Sequence, residues 1–81
     1  MAMEITVVLY ATLIRYHPQG EGNKSFTVQL PDGAMVKDLV KHLGIREGEA
    51  KQVFIKHKSI LYDYVLQDGE RVAIFPPVAG G

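Results

Sequence analysis

The chain has no cysteine among its 81 residues. That absence excludes disulfide stapling, thiol nucleophiles and zinc–thiolate sites. It also has no excess charge: nine Lys and Arg balance nine Asp and Glu, with no basic block, so nucleic acid is not an expected partner. No apolar run approaches the ~20 residues of a membrane span. The opening MAMEITVVLYATLIRYHP carries no basic leader before its apolar stretch and no small-residue cleavage site. It does not read as a signal peptide, so the expected location is cytoplasmic, away from membranes. No phosphate-cradling loop is present either, because the GEG of residues 20–22 does not lie between a strand and a helix. There is no internal repeat, no low-complexity stretch, and no Ser-His-Asp or lysine-based arrangement. The body of the chain offers no catalytic apparatus.

What is present organises itself by hydrophobic period. Glu4 to Tyr10 (EITVVLY) is β-branched and aromatic, with Ile5, Val7 and Leu9 on one face and Thr6, Val8 and Tyr10 on the other. Residues 15–24 (RYHPQGEGNK) carry Pro18, Gly20, Gly22 and Asn23 and read as an exposed loop. SFTVQL alternates as a half-buried strand that PDG at 31–33 stops, and this strand is expected to pair antiparallel with the first. From Val36 the period becomes helical: Val36, Leu39, Val40 and Leu43 form one apolar stripe, while Lys37, Asp38, Lys41 and His42 face away. Gly44 suits a left-handed C-cap, whereas Met35 is a poor N-cap and fixes the helix start only loosely. VFIKH reads as a strand turning near Lys58 and Ser59, with a further short strand or helical turn over residues 60–66. Asp68-Gly69 marks a turn, and RVAIF at 71–75 reads as the last strand.

One helix among four or five strands must cover one face of a mixed sheet, so the fold class is α+β. An early hairpin, a crossing helix and a final strand able to lie beside the first describe a β-grasp, the ubiquitin-like plan. Its domain spans residues 1–75, followed by an extended flexible tail over 76–81. His17, His42 and His57 have no partners at metal-ligand spacing and read as ordinary surface histidines, with no metal site. Asp63, Asp68 and Glu70 could cluster, but solvated turn carboxylates are the better reading. The face without helix should carry Thr6, Val8 and Tyr10, joined by Ile74 or by Ala73 and Phe75 according to register. It is either covered by loops or a docking patch.

The ending FPPVAGG carries the sharpest signal. Pro76 keeps Phe75 extended, and Pro76 and Pro77 lack the N–H needed to continue a ladder, so the strand must stop at Phe75. The six residues that follow can project up to roughly 20 Å from the body. Beyond Val78 no side chain exceeds Cβ, so only a thin peptide reaches the tip. Such a tip fits a narrow channel that larger residues would block. The two prolines restrict the free tail and so lower the ~1–2 kcal/mol per residue that immobilisation costs.

LYATL near the start and DGERVAIFPPVAGG at the end resemble the MoaD/ThiS-type ubiquitin-like sulfur carriers. Within that family, the FPPV-x-GG ending resembles the small subunits of molybdopterin synthase more than the thiazole branch. The similarity spans essentially the whole chain and is weaker in its middle, where Lys56 stands at a position often occupied by asparagine. The resemblance implies that Gly81 is adenylated by a ubiquitin-activating-like adenylyltransferase using ATP. A sulfur donor protein then converts it to a thiocarboxylate, and no cofactor is bound by the carrier itself. Pro76, Pro77, Val78, Ala79 and Gly80 would form the inserting tail, and Tyr10 and Phe75 match partner-contacting positions. The implied acceptor complex is a two-plus-two heterotetramer with the large synthase subunit, which supplies the catalytic residues. Its product would be the molybdopterin dithiolene made from the cyclic pyranopterin precursor. Alternatives are a carrier for thiamine thiazole or a tungsten-pterin, a protein modifier conjugated through Gly81, and a β-grasp interaction domain with an inert tail.

Overall fold

The computed structural model describes residues 2–18, 25–46 and 48–77. The expected tail positions Val78, Ala79, Gly80 and Gly81 lie outside the described residues. Five strands form one sheet: β1 (Ala2–Leu9), β2 (Phe26–Pro31), β3 (Gln52–Ile55), β4 (Lys58–Ile60) and β5 (Arg71–Phe75). Their spatial order is β2-β1-β5-β3-β4. β1 and β5 run parallel at the centre, and the other pairs are antiparallel. Among the described residues one α-helix, α1 (Val36–His42), crosses between β2 and β3. This is the ubiquitin-like β-grasp, with the last strand inserted beside the first.

The core follows from the alternation in β1. Ile5, Val7 and Leu9 are buried, and they pack in one cluster with Val36, Leu39 and Val40 of α1 and Val72 and Ile74 of β5. Each fully buried aliphatic side chain contributes about 1.5–3 kcal/mol. At seven residues α1 is too short to persist by itself, so this packing holds it. Its termini are also well satisfied. The Asp38 carboxylate accepts the Met35 N–H at 2.8 Å. The N–H groups of Val36 and Lys37 donate to the carbonyls of Tyr64 and Tyr62. The helix start that Met35 left loose is thus fixed by Asp38 reaching back and by a distant loop. At the other end Gly44 adopts φ +78°, its N–H donating to Lys41 and that of Ile45 to Val40. That is the Schellman pattern the glycine suggested.

Three sequence expectations need correction. The segment read as an exposed loop from residue 15 begins inside a 3-10 helix, Ala11–Tyr16, whose Leu13 is fully buried. Six residues in this geometry offer no 3.6-residue period to read. His17 is not a surface histidine: it is 6% exposed, its ring edge-on to Phe26 at 4.8 Å. The β3–β4 turn falls at Lys56 and His57 rather than at Lys58 and Ser59. Ile55 pairs with Lys58, and both intervening residues have positive φ, +53° and +68°. This is the type I′ pattern, usually signalled by Asn-Gly, and here it is built without glycine.

Candidate functional site

The sheet face opposite α1 holds the candidate site. Because Val8 pairs with Ala73 in the parallel β1–β5 ladder, Thr6, Val8 and Tyr10 share a face with Arg71, Ala73 and Phe75. Of the two registers left open by the sequence, the second is adopted, and Ile74 is fully buried in the core. Val8 is buried too, although it lies outside the core cluster. The face without helix is therefore partly closed over its middle.

Aromatic rings define the surface. Tyr10 and Phe75 stack with centroids 4.3 Å apart and planes 4° from parallel. Phe54, opposite Ala73 in the β3–β5 ladder, meets Phe75 edge-on at 5.6 Å. Such ring pairs are worth about 0.5–1.5 kcal/mol each beyond the area they bury. All three rings remain half-exposed and line an open groove of about 930 Å³. Tyr10 is also tied at its backbone, its N–H donating to the Ile74 carbonyl at 3.2 Å. β5 ends at Phe75, with Pro76 half-buried and Pro77 exposed, so the chain leaves the sheet at the edge of the aromatic surface.

Polar groups surround the rings. Of the three carboxylates flagged in the sequence, Asp68 and Glu70 come together at the groove, and both are occupied by structural work. Asp68 accepts the Glu4 N–H at 2.7 Å. Glu70 accepts the Gln67 N–H at 2.6 Å and the Tyr64 hydroxyl at 2.7 Å. That hydroxyl's proton is held by Glu70, which with partial desolvation raises the Tyr64 pKa above its ordinary value of 10.0. These are turn carboxylates bonded to backbone rather than merely solvated. Asp63 is exposed and plays no part in the groove.

A second polar cluster was not legible in the sequence because its members lie more than thirty residues apart. Arg15 and Tyr16 both reach Glu49, at 2.6 and 2.9 Å, and the guanidinium lies 5.1 Å above the Tyr16 ring centre. The Tyr16 hydrogen bond, then the Arg15 contact, hold the Glu49 carboxyl below its usual range. The cluster ties the 3-10 helix to the segment leading into β3. Among the described residues, no three His, Asp or Glu side chains gather as metal ligands. No helix there is long and apolar enough to cross a membrane.

A β-grasp body with an aromatic open face, whose last strand runs into a proline-led exit, defines the class of ubiquitin-like domains. The model of the ThiS family matches residues 7–81, and the chain belongs to this family of MoaD/ThiS-type sulfur carriers. No curated protein sequence matches the chain significantly. Among solved structures, the HVO 2177 protein of Haloferax volcanii is 29% identical with a TM-score of 0.76, covering 99% of this chain and 88% of that one. A putative molybdopterin converting factor subunit 1 from Pyrococcus furiosus is 22% identical with a TM-score of 0.69, covering 94% and 99%. A complex of subunits 1 and 2 of the molybdopterin-converting factor from Helicobacter pylori matches at 24% identity and a TM-score of 0.58, covering 98% and 100%. At these identities the last two likenesses speak for the fold.

Proposed function

We propose that the protein is the sulfur-carrier subunit of a molybdopterin synthase, with sulfur borne as a thiocarboxylate on Gly81. The sulfur-carrier reading is supported by the family match running through residue 81, and the molybdopterin branch by the FPPV-x-GG ending, whose diglycine follows the Phe75 strand end and two prolines. A carboxylate is a poor electrophile because its charge is delocalised and its leaving group would be oxide. Joining AMP to Gly81, with loss of pyrophosphate from ATP, provides a competent leaving group. A ubiquitin-activating-type adenylyltransferase performs that step. The terminal sulfur of a persulfide donor then forms the carbon–sulfur bond as the bond to AMP breaks, and a thiol reductant cleaves the resulting acyl disulfide to leave the thiocarboxylate. No side chain of the carrier needs to react, which suits a chain without cysteine.

The remaining parts have matching roles. Pro76 to Gly80 deliver Gly81 into the large subunit's active site, and Tyr10 and Phe75 anchor the body against the partner. The anchoring contact offsets the entropy of ordering the tail. Since a dithiolene needs two sulfurs, the carrier dissociates and is recharged between transfers. The expected assembly pairs two carriers with a dimer of large subunits.

The test is intact mass after incubation with ATP, an adenylyltransferase of this type, a persulfide donor and a thiol reductant, followed by addition of the large subunit and pyranopterin precursor. Exchange of one oxygen for sulfur at Gly81, reversed on addition of the acceptor, is expected. Accumulation of lysine-linked conjugates in place of that exchange would move the assignment to a protein modifier.

A further inference from the structure

The groove rim carries charges of both signs that are unequally engaged. Lys56, His57 and Arg71 border the aromatic surface together with Asp68 and Glu70. Formal charges of the lysine, arginine and two carboxylates balance, but their hydrogen-bonding capacity does not. Three carboxylate oxygens already accept internal donors: Asp68 Oδ1 and both Glu70 oxygens. Lys56 and Arg71 are exposed, and neither side chain has an ion-pair or hydrogen-bond partner among the described residues. An ammonium offers three donors and a guanidinium five, with no acceptor. The rim therefore presents unspent donors around an apolar floor.

Backbone conformation singles out the same region. Among the described residues, Ala11, Lys56 and His57 are the non-glycine positions with positive φ. Lys56 and His57 line the groove, and Ala11 directly follows Tyr10. Left-handed backbone is strained for such residues, and strain of this kind concentrates at binding sites.

We infer that this face recognises a protein segment that is apolar at its centre and carries carboxylates at its edges, which would accept from Arg71 and Lys56. This rests on the reading of the Tyr10–Phe75 face as a partner interface. Single-stranded nucleic acid also combines anions with apolar rings. It is the poorer fit because Tyr10 and Phe75 are stacked on one another, and Phe54 abuts Phe75, which leaves little open ring face for bases.

Two capped hexapeptides provide the probes, Glu-Glu-Leu-Phe-Glu-Glu and Lys-Lys-Leu-Phe-Lys-Lys, titrated to millimolar concentration into the isotope-labelled full chain. Backbone amide shifts should map to Tyr10, Phe54, Ala73 and Phe75 with the acidic peptide, which should bind about tenfold more tightly than the basic one. R71E/K56E should reverse the preference, and R71Q, a milder change, should reduce it several-fold. Equal binding of the two peptides, shifts confined to another surface, or absence of binding by both overturns the proposal. So does a short oligouridylate giving the same shifts more strongly. The titration needs neither activating enzyme nor Gly81, so its failure is distinct from a failure of sulfur loading.

Discussion

Replacing the β3–β4 turn by its preferred residues, K56N/H57G, should stabilise the protein while weakening its partner face. Lys56 and His57 adopt φ +53° and +68°. A left-handed conformation costs an ordinary residue about 1–2 kcal/mol, and asparagine tolerates it better. Glycine removes the steric cost at position 57 but loses about 0.5–1 kcal/mol through its greater freedom in the unfolded chain. Neither side chain belongs to the buried core, and both are exposed, so little packing is lost. The balance is a gain of about 1–2 kcal/mol, or roughly 5–15 °C in Tm for a domain of this size. Urea denaturation followed by circular dichroism should show a higher midpoint with an unchanged slope. The same variant should lose part of its preference for the acidic peptide, since it removes two rim donors. An unchanged or lower midpoint would refute the premise that the turn holds strain.

Leu39→Ala removes a fully buried side chain from the helix–sheet core and should cost about 2–5 kcal/mol, read by the same denaturation. Glu49 has a depressed folded pKa, so its stabilising contribution is present above the unfolded value and lost as pH falls through the folded one. E49Q should flatten the stability profile on that acidic side. Tyr64 has a raised pKa, so its contribution is present below the unfolded value near 10 and lost as pH rises through the folded one. An ultraviolet tyrosinate titration should lose a late-titrating component when E70Q removes the acceptor of the Tyr64 hydroxyl.

The repetitive parts of the fold were legible in the sequence. The alternation of β1, the stripe of Val36, Leu39 and Val40, the Gly44 cap, the Asp68-Gly69 turn and the RVAIF strand all stand where period and turn chemistry placed them. Features without a local signal were not. The 3-10 helix is too short for periodicity, and the Lys56-His57 turn lacks the glycine that usually announces it. His17 packs edge-on against Phe26, a residue from the next strand, and Glu49 is claimed by side chains 33 and 34 residues earlier in the chain. The aromatic face was half legible: alternation put Tyr10 on it, but only the parallel register with β5 could choose Phe75 over Ile74. Its donor-rich rim depends on which carboxylates the backbone has already engaged, and composition cannot report that.

The central claim concerns the last residue, and intact mass tests it most directly. The protein and a variant with one alanine added after Gly81 are each incubated with ATP, the adenylyltransferase, a persulfide donor and a thiol reductant. The account predicts exchange of one oxygen for sulfur in the unmodified chain and none in the extended one. Exchange in both, or in neither when the same enzymes load another carrier of this family, would contradict it.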